Sequence, residues 1–236
     1  IGVTEMGMSN FGEIDYLASI VKPETAVYTN IGVSHIENLG SRENILKAKC
    51  EMLDHIKGDG FVVLCGDDDL LVKLADDLKL SHVTYGIENK NCDYYAYNIM
   101  QSDETETKFN IHSPMGEFEA KIPVLGDHNV NNALAAFIVA THYGVKEEAA
   151  IEALSLFQPG AMRQNIIKTN GITVINDCYN SSPSSMQAGL KTLRQISGNR
   201  KIAVLGDMLE IGELSERLHK DVGTYVVENK TDFLIA

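Results

Sequence analysis

Lys49 falls on what should be the buried stripe of a helix. In SHIENLGSRENILKAK, residues 34–49, and just beyond it, Ile45, Ala48, Met52 and Ile56 recur at the spacing of a helix with one apolar face. Lys49 shares that face, whereas Lys47, two residues away, projects about 200° around the axis. Withdrawing an ammonium from water is costly, so such a lysine needs a partner or a shift toward its neutral amine. A desolvated amine can react, which makes Lys49 a candidate for chemistry as well as packing.

Four further groupings place polar side chains at the ends of apolar runs. Glu5 closes the run IGVTE, and an acid there sits at the carboxyl edge of a parallel sheet, where open α/β proteins bind ligands. A solvated strand end fits Glu5 equally well. TNIGVSHIENLG puts Asn30, His35 and Glu37 in one loop; neutral imidazole is a common metal ligand, and oxygen-rich surroundings suit magnesium better than zinc. GDHNVNNALAA gathers Asp127, His128, Asn129 and Asn132 at a helix start. Asp127 or Asn129 can serve there as a cap. Asn129 and Asn132 are three residues apart, however, so both carboxamides share a face and can pair with the edge of adenine whichever way each amide is turned. In INDCYNSSPSSM an apolar strand ends in Asp177, and a polar turn with Asn180 opens a helix at Pro183. An acid at that place binds ribose in doubly wound folds, although turn and cap would use the same residues. VLGDMLEIGELS repeats the geometry one strand later, with Asp207 and Glu210.

The elements that must carry these residues alternate along the chain. Strands are predicted over Ala26–Ile31, Phe61–Cys65 and His82–Tyr85, with helices over Ser41–Ile56 and Asp69–Leu80. Residues 93–122 change character to short β-rich pieces separated by turns, which predicts an antiparallel patch beside a mainly parallel sheet. Two helices, Asn129–His142 and Lys146–Leu156, follow. After FQPGAMRQN the alternation restarts with strand Thr173–Asn176, helix Ser184–Ile196, strand Ile202–Leu205, helix Glu213–Glu228 and a last strand. Two α/β units meeting near Pro159-Gly160 are the expected organisation, 1–159 and 160–236. Both ends read as cut, as in a piece of a longer chain.

Composition narrows the classes. A net charge of −13 over 236 residues repels polyphosphate, which argues against nucleic acid as a partner. No apolar run approaches the roughly 18–20 residues of a membrane span. Cys50, Cys65, Cys92 and Cys178 form no C-x-x-C pair, so a reduced, cytoplasmic protein is expected rather than a zinc ribbon.

Taken in order, EMG at Glu5, NIGVSHIENLGS at His35, AK at Lys49, HNVNNALAA, DCYNSSP and GDMLEIGE resemble the Mur ligases along essentially the whole chain. NDCYN with GDMLEIGELSE is similar to the branch that joins D-alanyl-D-alanine to UDP-N-acetylmuramoyl-tripeptide, in peptidoglycan precursor synthesis. The resemblance implies that residues 1–159 are most of a central ATP-binding domain with a mainly parallel sheet. Residues 160–236 would then be a truncated, Rossmann-like C-terminal domain. It also implies roles. Glu5 and His35 would bind magnesium, and Lys49 would be carbamylated and share that task. Asn129 and Asn132, beside His128, would meet adenine; Arg163 would reach the phosphates; Asp177 would bind ribose with Asn180 beside it. ATP, Mg2+, the UDP-linked tripeptide and D-alanyl-D-alanine are thus the implied cofactors and partners, and ATP-dependent C–N bond formation through an acyl-phosphate is the implied reaction.

Two departures matter. The family's YNANP turn reads YNSSP here, small for small. No glycine-rich G-K-[ST] phosphate loop occurs in the 236 residues, so this chain by itself is expected not to turn over ATP. A sister ligase such as folylpolyglutamate synthase, or a non-catalytic nucleotide-fold module, is the alternative.

Overall fold

A computed structural model describes residues 1–102 and 105–236. The chain runs through α1 (Glu13–Val21), β1 (Thr25–Tyr28), the single turn α2 (Ile36–Leu39) and α3 (Arg42–Cys50) to β2 (Phe61–Cys65). It continues through α4 (Asp69–Asp77), β3 (Ser81–Gly86), β4 (Tyr94–Ser102), β5 (Glu106–Ser113) and β6 (Gly116–Ile122) to the long α5 (Asp127–His142) and α6 (Glu147–Ser155). These strands form one sheet in the order β1-β2-β3-β4-β5-β6, parallel from β1 to β4 and antiparallel from β4 to β6. All five residues of β2 are buried, as a continuous Phe-Val-Val-Leu-Cys run covered on both faces requires. Val130, Leu134, Phe137 and Ile138 of α5 are buried in the same core.

Side chains start the helices that matter for the site. Ser41 caps α3 by accepting from Asn44 N–H, and Asp68 caps α4 by accepting from Leu70 and Leu71 N–H. The remaining elements are β7 (Asn165–Thr169), β8 (Ile172–Asn176), α7 (Pro183–Gln195), β9 (Ile202–Val204), α8 (Ser215–Glu228) and β10 (Phe233–Ile235). Ser182 and Ser185 form a reciprocal capping box at α7, with Pro183 in its first turn.

Two expectations are corrected. Ile1–Glu5 is not a strand: residues 1–8 take no regular structure, and Ile1 and Val3 are 97% and 92% exposed. Apolar character makes a strand only where a neighbour supplies the ladder. The helix expected over 41–56 ends at Cys50, and a 3-10 turn, Glu51–His55, completes it. Met52 and Ile56 still pack against the core. After Pro159, β8 pairs antiparallel with β7 across Asn170-Gly171, while β9 pairs in parallel with β10. Asn170 and Gly171 have φ of 48° and 75°, the double left-handed turn that a two-residue hairpin needs.

Candidate functional site

Lys49 is half-buried on α3. Burial draws its ammonium below the usual lysine range, and the nearby Glu5 carboxylate opposes that shift. Tyr28 from β1 donates to the Lys49 carbonyl at 3.1 Å, which ties this turn of α3 to the sheet. Lys47 stands exposed on the other side, its Nζ 5.8 Å from the centre of the Phe11 ring. The two lysines therefore occupy the two environments their spacing predicts.

His35 lies in the left-handed region, φ 63°, just before α2. Its Nδ1 engages the Glu210 carboxylate and lies 3.5 Å from the Ser9 hydroxyl. The 206–213 loop is docked on this corner by more than the ion pair. Glu37 N–H donates to the Glu210 carbonyl at 3.3 Å, and a Cβ at Gly212 would meet Glu37 at 3.2 Å. Glu5 is thus brought to Lys49, and His35 to Glu210. Among the described residues, no three His, Cys, Asp or Glu side chains gather as a metal-holding group. Glu5 places carboxylate oxygens, the donors a hard cation takes, near Lys49, while His35 is held on Glu210.

A second constellation forms where the two stretches 127–131 and 162–179 meet. Asn129 Nδ2 donates to the Leu125 carbonyl at 2.7 Å and to Gln164 Oε1 at 3.1 Å. Gln164 Nε2 lies 3.1 Å from His128 Nε2, and Gln164 N–H donates to Asp177 Oδ1 at 3.2 Å. Burial pushes the His128 imidazole down from its ordinary value, against the pull of Asp177 and Asp127. The neutral ring can accept the Gln164 proton. Arg163 packs its guanidinium over the Tyr179 ring, 4.1 Å from the centroid, and Tyr179 N–H donates to the Met162 carbonyl at 3.2 Å. Met162 and Gln164 both have positive φ, 59° and 51°, so the turn around Arg163 is held in a conformation that side chains disfavour. His128, Asn129, Arg163 and Asp177 are brought together. Asn132 is exposed one turn along α5, and exposed Asn180 accepts from Ser181 N–H at 2.8 Å.

Beside this seam a cleft of about 340 Å³ opens between the start of α5 and one face of α7. Asp67 at its floor accepts from the N–H groups of Ile87, Glu88 and Asn89 and from Asn131 Nδ2. It buckles the loop after β3 to α5. Lys191 of α7 pairs with Asp127 across the cleft, and Gln101 donates to Gln195 at 2.6 Å. Gln164, Asp67 and Asn131 were not singled out in the sequence. For Asp67 the available signal is Gly-Asp directly after a buried strand; for Gln164 it is adjacency to Arg163.

The fold is of the α/β class, with a mostly parallel six-stranded sheet and an antiparallel patch. Residues 1–140 match the Mur ligase middle domain, and residues 162–236 match the Mur ligase glutamate ligase domain. The chain belongs to the Mur ligase family. It is 42% identical over 234 residues to the UDP-N-acetylmuramoyl-tripeptide–D-alanyl-D-alanine ligase of Bacillus subtilis, covering 98% of this chain and 50% of that protein. The crystal structure of MurF from Acinetobacter baumannii superimposes with a TM-score of 0.90 at 32% identity, over 97% of this chain and 49% of that one. MurF ligase from Thermotoga maritima, in complex with ADP, gives a TM-score of 0.85 at 27% identity, over 94% and 51% of the respective chains. The chain spans about half the length of the curated relatives it matches. Among the described residues no helix is long and apolar enough to cross a membrane.

Proposed function

We propose that the protein containing this chain joins D-alanyl-D-alanine to UDP-N-acetylmuramoyl-tripeptide at the expense of ATP, in cytoplasmic peptidoglycan precursor synthesis. The observation that carries the reading is the seam itself: His128 and Asn129 from the sheet-bearing region meet Asp177 and Arg163 from the region after Pro159, through Gln164. Two units divided near residues 159–160, each giving half of one nucleotide site, fit that arrangement. The ADP complex of the Thermotoga relative supports a nucleotide as the ligand.

In this reading Asn129, aided by Asn132, contacts adenine. The exposed Arg163 guanidinium, steadied on Tyr179, reaches the phosphates. One oxygen of Asp177 holds the turn through Gln164, and the other is left for a ribose hydroxyl, with Asn180 beside it. Glu5, His35 and a carbamylated Lys49 would hold Mg2+, which offsets charge between the phosphates and the incoming carboxylate. Burial drives Lys49 toward its neutral amine, which adds to carbon dioxide and releases one proton, giving a carbamate. Glu210 keeps the His35 ring in one orientation through Nδ1, so Nε2 is the nitrogen left for a ligand. The tripeptide's terminal carboxylate takes the γ-phosphoryl group of ATP. The amine of D-alanyl-D-alanine then attacks the acyl-phosphate, and the tetrahedral intermediate expels phosphate. Most of the protein's contribution is positioning and charge compensation.

The test is a phosphate-release and product assay of the full-length parent with UDP-N-acetylmuramoyl-tripeptides ending in lysine or diaminopimelate. Phosphate release that requires ATP, tripeptide and D-alanyl-D-alanine together is the expected result. Glutamate addition to a folate, or no ligation with either tripeptide, overturns it.

A further inference from the structure

We propose that Gln164 sets the base preference of the nucleotide site by fixing which end of the Asn129 carboxamide is presented to the base. The inference rests on the function proposed above, in that it takes Asn129 to face the base. A carboxamide is nearly symmetric in shape, and a free one can turn to offer either its C=O or its NH2. Asn129 is not free. Both of its N–H groups are used, one on the Leu125 carbonyl at 2.7 Å and one on Gln164 Oε1 at 3.1 Å, which leaves Oδ1 as the atom to offer.

Gln164 cannot turn either. The Leu125 carbonyl can only accept, so it holds the Asn129 NH2, which in turn needs Gln164 Oε1. A reversed Gln164 amide would set NH2 against NH2, and Gln164 Nε2 is left 3.1 Å from His128 Nε2 to donate to the ring tautomer protonated at Nδ1. Its backbone is pinned as well, by N–H donation to Asp177 Oδ1 at 3.2 Å and by the left-handed conformation at φ 51°. The chain His128–Gln164–Asn129–Leu125 therefore has one self-consistent arrangement of donors and acceptors. It holds a fixed acceptor at the base position. An acceptor there pairs with the exocyclic amino group of adenine and opposes the O6 carbonyl of guanine. Gln164 acts through Asn129, as a positioning residue.

The experiment compares kcat/KM for ATP and for GTP in the full-length parent at pH 8, for wild type, Gln164→Ala, the isosteric Gln164→Met, and Gln164→Glu. Ala and Met remove one of the two acceptors that hold the Asn129 NH2, leaving the Leu125 carbonyl alone, and should lower the ATP-over-GTP ratio by roughly tenfold, the value of one unmatched polar partner. Glu keeps that acceptor and should hold the ratio within about threefold of wild type, whatever its overall rate. Parallel loss of ATP and GTP use in Ala and Met, with the ratio kept, would mean that Gln164 is merely structural and overturns the proposal. Loss of preference in Glu equal to that in Met overturns it too. Should wild type fail to ligate with either nucleotide, the functional reading fails separately, and the same ratio is then read from ADP and GDP dissociation constants by calorimetry.

Discussion

The strands β2 and β10 are equally apolar in sequence and opposite in environment. Every residue of β2 is buried, while Phe233, Leu234 and Ile235 of β10 are all exposed. Among the described residues, β2 lies inside a six-stranded sheet with helices on it, and β10 pairs with β9. The same contrast divides the site. His128, Asn129 and Lys49 are half-buried in the first region, where desolvation shifts His128 and Lys49. Arg163, Asp177 and Asn180 stand exposed in the second. The first region thus supplies desolvated groups beside the exposed Glu5 and Asn132, and the second supplies accessible charged groups that complete the site.

The largest expected effect tests that division on one helix. In the full-length parent, Lys49→Ala should remove nearly all ligase activity, at least about a hundredfold, because a charged group in the centre of the site is lost. Lys47→Ala should stay active. Short carboxylic acids should partly restore Lys49→Ala and leave wild type unchanged. Equal losses at both lysines in the same assay would make Lys49 structural. A core comparison comes next: Leu134→Ala on α5, fully buried, should cost about 2–5 kcal/mol. Leu234→Ala on β10, 45% exposed, should cost about 0.5 kcal/mol or less. Urea unfolding of the 236-residue chain measures both, and similar costs would erase the contrast.

A smaller effect concerns pH. Burial lowers the folded-state pKa of His128 below 6.5, so the fold favours the neutral ring. Its contribution is fully present above that value and is lost as pH falls through the lowered one, because the unfolded chain binds the proton first. The urea midpoint should therefore fall more steeply between pH 7 and pH 5 in wild type than in His128→Gln. Equal slopes would remove His128 from the desolvated groups.

Much of the first region was legible because periodicity and burial agree there. Phe61–Cys65 is a strand over those residues, and the antiparallel patch lies in the β-rich stretch that suggested it. The second region was read less well. Thr173–Asn176 is a strand as expected, but its antiparallel partner Asn165–Thr169 was not singled out, although Asn170-Gly171 is a strong hairpin signal. The run IGVTE shows the opposite limit: its pattern is that of a strand, and only the neighbouring chain decides whether a ladder forms. Site residues follow the same rule. Lys49 announced itself by breaking an apolar stripe. Gln164 did not, since its reach to His128 and Asn129 depends on a left-handed turn that no residue type in Met-Arg-Gln marks. Asp67 likewise depends on how the loop after β3 wraps around its carboxylate.

The central claim is that both regions contribute to one nucleotide site, and ADP affinity tests it most directly. Isothermal titration of the full-length parent, with Asn129→Ala from the first region and Asp177→Ala from the second, should show each variant binding ADP roughly tenfold or more weakly, as loss of one polar contact implies. The Michaelis constant for ATP should rise in step, with that for D-alanyl-D-alanine little changed. Wild-type ADP affinity in either variant, or a shift in the dipeptide's constant alone, would contradict a site shared across the seam.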